Sequence, residues 1–149
     1  MTGLDCNILV QLALADHPAN PATVAAVQTE TQGGGRLAVP SLVVTEFLHV
    51  VTDPRRFAPP LTMVEALDWI EDFLANPAVS LLEPSSGSMP QTLRWMRQFG
   101  LGRKRILDTH LAAVLHTAGV QRLLTSNPGD FSVFGGLEAV SPQAKLGST

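Results

Sequence analysis

Glu46 lies in the run Leu42-Val43-Val44-Thr45-Glu46-Phe47-Leu48-His49-Val50-Val51, where it is the one group ionised at neutral pH. A carboxylate buried among such neighbours without a partner is very costly, so it must be protonated, paired or holding a cation. No Arg or Lys stands between Arg36 and Arg55, so the chain offers no local partner. Asp5 poses the same problem between Leu4 and the apolar stretch that begins at Ile8. Asp108 follows Ile106 and Leu107, and Asn127 follows Thr125 and Ser126. These are oxygen donors only, which suit Mg2+ or Mn2+ better than zinc. A divalent ion held this way lowers the pKa of a bound water and neutralises charge that develops on a substrate.

The elements that must position these residues follow from the pattern of the chain. Gly3-Leu4-Asp5 reads as a short strand, and Asn7 to Ala15 as a helix that is apolar almost all round and therefore buried. Pro21 opens a second helix, which ends at Gly33-Gly34-Gly35. Leu37-Ala38-Val39 is a short strand, and a helix runs from Pro40-Ser41 through Val51 with Ser41 as its N-cap. Thr62 to Ala75 is an amphipathic helix, with Val64, Leu67, Ile70, Phe73 and Leu74 on its apolar side. A strand at Val79 to Leu82, helices at Met89 to Phe99 and Ile106 to Thr117, and strands at Val120 to Leu124 and Leu137 to Val140 complete the chain. Strands that alternate with helices imply a small, mostly parallel sheet of four to five strands covered on both faces.

Ligands in such folds collect beyond the carboxyl ends of the strands. Asp5, Glu46, Asp108 and Asn127 each lie just after a strand or near a helix start, so one sheet edge can gather all four. Local roles are also open to them. Asp5 and Asp108 suit helix caps, and Asn127 and Asp130 suit a turn.

Length and composition set the limits. At 149 residues the chain is one domain, expected over 1–142, with a short flexible tail at 143–149. Hydrophobic residues reach 45% while charged residues are only 15%, against about 25% in an average protein. A surface so short of charge is expected to be partly covered by a partner. The net charge of −3 excludes a whole-molecule attraction to nucleic acid, so any such binding needs a local patch. A single cysteine, Cys6, excludes an internal disulfide and points to the cytoplasm. No signal peptide and no membrane span are expected, because no apolar run approaches the ~18 residues a span needs.

Four blocks in order resemble the PIN-domain ribonucleases of the VapC toxin type. They are Leu4-Asp5-Cys6-Asn7-Ile8-Leu9, Pro40-Ser41-Leu42-Val43-Val44-Thr45-Glu46-Phe47, Ile106-Leu107-Asp108-Thr109-His110-Leu111-Ala112-Ala113, and Leu123-Leu124-Thr125-Ser126-Asn127-Pro128-Gly129-Asp130-Phe131. The resemblance spans Gly3 to about Val140. It implies a three-layer α/β/α PIN-like fold and an endoribonuclease that hydrolyses phosphodiester bonds in RNA. It places metal-binding acids at Asp5, Glu46 and Asp108, with one or two Mg2+ ions, or Mn2+ as substitute. The fourth position, usually Asp in the family, is Asn127 here; it keeps an oxygen but loses a charge that Asp130 stands close enough in sequence to supply. Thr125 resembles a hydroxyl that bonds near the acids, and Asn7 and Ser41 resemble residues that order the site. The resemblance also implies a VapB-type antitoxin, a homodimer, and a transfer, ribosomal or messenger RNA as substrate.

Arg94, Arg97, Arg103, Lys104 and Arg105 are five of the ten basic residues, and no Asp or Glu occurs between Glu83 and Asp108. This run leads straight to a proposed ligand and is the first candidate for gripping RNA phosphates. Arg94 and Arg97 also suit a plainly solvated helix face. Arg55 and Arg56 form a second, weaker candidate patch. Trp95, Met96 and Phe99 suit a core or dimer contact, and His49 a core or interface position.

Other chemistries fit less of the chain. Asp5-Cys6-Asn7 lacks the second acid an aspartyl phosphatase needs at Asn7. A thiol enzyme would have to pair Cys6 with His17, His49, His110 or His116. Glu46 and His49 make half of a di-iron pattern whose other half is absent. The alternative from another class is a PIN-fold module that binds RNA or protein and has lost activity through Asn127.

Overall fold

The computed structural model describes residues 1–143, so the tail expected at 143–149 lies, from residue 144 on, outside the described residues. The elements run β1 (Thr2–Leu4), α1 (Cys6–Ala13), α2 (Asn20–Thr31), β2 (Leu37–Pro40), α3 (Ser41–Val51), α4 (Met63–Ala75), β3 (Val79–Leu82), α5 (Ser88–Gln98), α6 (Ile106–Thr117), β4 (Arg122–Leu124) and β5 (Glu138–Val140). Single 3₁₀ turns occupy Gln32–Gly34, Arg103–Arg105 and Pro128–Phe131. The strands form one five-stranded sheet in the order β3-β2-β1-β4-β5. Every neighbouring pair is parallel, so the sheet is parallel throughout, flanked by helices as the alternating pattern requires.

The order explains where a site can form. The chain steps outward from β1 to β2 and β3, then crosses back to lay β4 and β5 on the other side of β1. β1 and β4 therefore flank the point where the winding reverses, and their carboxyl ends open a crevice. Leu4 pairs with Leu124, so Asp5 and Thr125 leave the sheet side by side. The Asp5 backbone N–H still donates to the Leu124 carbonyl at 3.0 Å.

Packing holds these ends in place. Leu4, Ile8, Leu9, Leu37, Val39, Val43, Phe47, Leu123 and Leu124 are fully enclosed in the core. Gly3 lets α6 come close to the sheet: a Cβ there would stand 2.8 Å from Leu115 Cδ2. Trp95 is buried against Phe134, with ring centroids 4.9 Å apart, and Phe99 meets the same ring edge-on. Trp95 and Phe99 are thus core residues.

Four expectations need correction. The first strand ends at Leu4, and Asp5 is the N-cap of α1. Ser41 does not cap α3; Pro40 holds that position, and the Ser41 hydroxyl donates to Glu83 at 2.9 Å. On α4 the buried side is set by Ala66 and Ile70, with Trp69 stacked on Phe73 and tilted against Phe47. Val64 and Leu67 stay 66% and 38% exposed, because the aromatic ladder takes the space over the core. His49 is exposed on α3, which removes the core half of its core-or-interface reading.

Candidate active site

Asp5 sits where β1 becomes α1, and its carboxylate does two things at once. Oδ1 accepts the Cys6 backbone N–H at 2.8 Å, the usual bond of an N-cap. Oδ2 accepts the Thr125 hydroxyl at 2.8 Å and the Asn7 amide at 3.4 Å. Capping and site membership are therefore compatible for this residue. Thr125 is fully buried, and its oxygen also accepts the Asn127 backbone N–H at 3.1 Å, so one hydroxyl ties Asp5 to the loop after β4. Asn7 adds a second tie, accepting the Ser126 N–H at 3.0 Å. Gln11 adds a third: its amide donates to Ser126 Oγ at 2.8 Å and accepts the Thr23 hydroxyl at 2.6 Å.

A cleft of about 350 Å3 opens over these ends. Asp5, Glu46, Asp108, Asn127 and Asp130 all line it, with Asn7, Gln11, His17 and Arg56 on its walls. Glu46 reaches it from α3 and Asp108 from the first turn of α6. Asp130 comes from the 3₁₀ turn Pro128–Phe131, which buried Phe131 pins to the core. Glu46 and Asp108 are half-buried and make no hydrogen bond or close ion pair to another described residue, so their oxygens remain available.

The electrostatics follow from this crowding. Burial raises the Asp5 carboxyl above the usual carboxylate range, against the hydrogen bonds from Thr125, Cys6 and Asn7. Burial raises Glu46 too, helped by the charges of Asp5 and Asp108 and opposed by Arg56. Asp108 is pushed up to about 6 by burial and by Asp5 and Asp130, with Arg105 acting the other way. Burial also lifts the Cys6 thiol far above its ordinary value, which makes it a poor nucleophile at neutral pH.

The donor set fits a hard divalent cation. It is all oxygen, three of its carboxylates are held above the usual range by burial and by one another's charge, and all face one cleft. Among the described residues, no three His, Cys, Asp or Glu side chains stand close enough to form a ready-made metal cage. The acids converge on a common space without closing on a point.

Of the residues singled out in the sequence, Asp5, Glu46, Asp108, Asn127, Asp130 and Asn7 line the cleft, and Thr125 stands directly behind Asp5. Ser41 does not; its hydroxyl is taken by Glu83. None of Arg94, Arg97, Arg103, Lys104 and Arg105 lines it either. Arg94 bonds Gln91 on its own helix, and Arg105 folds back to donate to the Asp130 carbonyl. Sequence reasoning missed Gln11 and Ser126 in the supporting network. It also gave Arg56 second place and considered His17 for thiol chemistry alone. An amide interrupting the apolar helix Asn7 to Ala15 was the available signal for Gln11.

Comparison with known proteins gives the family and the fold. The PIN domain family model matches residues 4–136. Ribonuclease VapC24 of Mycobacterium tuberculosis is 30% identical over 135 residues, covering 91% of this chain and 92% of that protein. VapBC-1 from nontypeable Haemophilus influenzae has a similar fold, with a TM-score of 0.69 at 16% identity over 95% of this chain and 98% of that one. So does Mycobacterium tuberculosis VapC20, a toxin that cleaves the sarcin–ricin loop, with a TM-score of 0.64 at 11% identity over 83% and 87% of the two chains. With the family pattern running almost from end to end, and a VapC relative aligned over nearly all of both chains, this protein belongs to the PIN-domain family, among the VapC ribonucleases.

Proposed function

We propose that this protein is a metal-dependent endoribonuclease, the toxin of a toxin–antitoxin pair, and that Asp5, Glu46 and Asp108 hold Mg2+ or Mn2+ with Asn127 beside them. One observation carries the reading. Carboxylates from three separated segments meet at one cleft, at the point where the sheet reverses its winding, with too little positive charge to neutralise them. The VapC relatives are named ribonucleases, and one structural neighbour cleaves RNA.

A bound divalent ion would supply an activated water and relieve charge on the phosphate. The chain's own groups do the rest. Asp5 is locked by Thr125 and Asn7, so its free lone pairs keep one direction. Glu46 and Asp108 approach from two helices with uncommitted oxygens. Asp130 lines the same cleft and provides the negative charge that Asn127 lacks, which favours catalysis over a purely binding role. Half-burial of the acids limits competing water around a held phosphodiester.

The pairing with an antitoxin rests on structural neighbours that are VapBC complexes. A VapB-type partner, a homodimer and a cytoplasmic setting fit a surface that exposes Met63, Val64, Leu93 and Leu107. No helix among the described residues is long and apolar enough to cross a membrane.

The purified protein should cut RNA with Mg2+ or Mn2+ and stop with EDTA. Asp5→Ala should lower cleavage by about 10²–10³-fold or more while the circular dichroism spectrum stays that of a folded protein. Cutting that survives EDTA would sink the assignment.

A further inference from the structure

The cleft gathers four acidic side chains, Asp5, Glu46, Asp108 and Asp130, and among the described residues a single Lys or Arg, Arg56. An RNA phosphodiester is itself an anion. The nuclease reading, on which this inference rests, therefore needs donors on the cleft wall that are not already engaged by the protein. Most are engaged. The Asn7 amide donates to Asp5 and accepts from Ser126, and the Gln11 amide donates to Ser126 and accepts from Thr23, so each is held in the supporting network. The Asn127 side chain lines the same cleft. Two donors remain. The Arg56 guanidinium makes no close hydrogen bond to another described residue: its Nε stands 3.8 Å from Asp53 Oδ2, longer than a hydrogen bond, and its charge also acts on Glu46. His17 accepts the Ala19 N–H at Nδ1 at 3.0 Å, which leaves Nε2 to carry the proton of the neutral ring.

The segment that bears Arg56 is anchored. The Asp53 carbonyl accepts the N–H groups of Arg56 and Phe57, both at 3.1 Å, and Asp53 Oδ1 accepts the Arg55 N–H at 2.9 Å. Phe57 packs on the core, and the Leu61 N–H bonds the Val51 carbonyl. Phe57 and His17 also border a neighbouring cleft of about 730 Å3, so a strand held at this wall has room to continue.

We propose that Arg56 and His17 form an anion site on the cleft wall that binds the RNA phosphate at the scissile bond, a task the basic run from 94 to 105 does not perform. Arg56 offers a planar fork of N–H groups to the phosphate oxygens, and His17, on the same cleft, adds one donor.

The test uses the full chain, Mn2+ and a fluorescent stem–loop RNA of mixed sequence. Arg56→Ala should lower the rate at saturating RNA by about 10²-fold with the melting temperature unchanged, and Arg56→Lys should restore part of it. His17→Ala should lose about tenfold. Arg36→Ala, which removes one charge at the far end of the sheet, should leave the cleavage rate unchanged. In the non-cleaving Asp5→Ala background, adding Arg56→Ala should reduce the salt slope of RNA binding by about 0.7. If Asp5→Ala is inactive while Arg56→Ala cleaves at the wild-type rate, the anion site is wrong and the nuclease reading stands. Should Asp5→Ala cleave like the wild type, the nuclease reading fails and takes the anion site with it. Where this RNA is not cut by any form, an unchanged salt slope overturns the proposal and a reduced one supports it.

Discussion

Asp108 shows how the site's chemistry opposes its stability. Its carboxyl ordinarily ionises near 3.8 and in the fold near 6, so the folded chain holds a proton that the unfolded chain has already released. Between those values the folded state binds more protons, and stability must fall as pH rises through about 4 to 6. Asp5 and Glu46, raised for the same reasons, act in the same direction. Asp108→Asn should therefore gain stability relative to the wild type over that window in metal-free buffer while losing RNA cleavage. Thermal melts of both proteins in EDTA at pH 4, 5, 6 and 7 check the sign, and a difference that shrinks with rising pH would refute it. Glu46 was legible in the sequence because nothing near it in the chain could pair with it. Arg56 was far less legible, since nine residues of helix and loop separate it from Glu46 and only the fold brings the two to one cleft.

At the scale of elements, the sheet needs each strand end delivered to the same edge. Almost every strand and helix was readable from apolar runs and Pro or Gly punctuation, and α6 spans Ile106–Thr117 as its pattern predicts. α4 was misjudged because its apolar residues cover two faces, and only packing selects one. Trp69 stacked on Phe73 fills the inner face, so Val64 and Leu67 are left outside. Gly3 has the converse importance, an unremarkable residue in the sequence that sets the approach of α6 and hence the position of Asp108. Gly3→Ala should force Leu115 aside and cost about 1–3 kcal/mol by overpacking. Chemical denaturation measures this, and the same Gly3→Ala change should cost less in a Leu115→Ala background than in the wild type. At the opposite end of the sheet charges are satisfied: Arg122 pairs with Glu30 at 2.8 Å and with Glu138 at 2.9 Å. The contrast marks the carboxyl end as the reactive one.

For the whole molecule, a cation that binds only the folded cleft must stabilise the fold by mass action, by about 2.7 kcal/mol at a hundred times its dissociation constant. Mn2+ should raise the melting temperature of the wild type at pH 7.5 by several degrees and leave an Asp5→Ala, Asp108→Asn double variant unmoved; calorimetry with and without EDTA checks it. The sequence alone determined the fold class and the order of elements and singled out the acids that line the cleft, because local patterning dictates helices and strands and a lone carboxylate in an apolar run demands compensation wherever it lies. Tertiary structure decided what shares a cleft. It drew Asp130 and Arg56 in, turned Ser41 toward Glu83 and the Arg105 guanidinium toward the Asp130 carbonyl, and kept the remaining basic residues of 94 to 105 off the cleft walls. Those outcomes depend on strand register, on the reversal of winding beside β1 and on how closely helices pack, and none of these is a property of neighbouring residues in the chain.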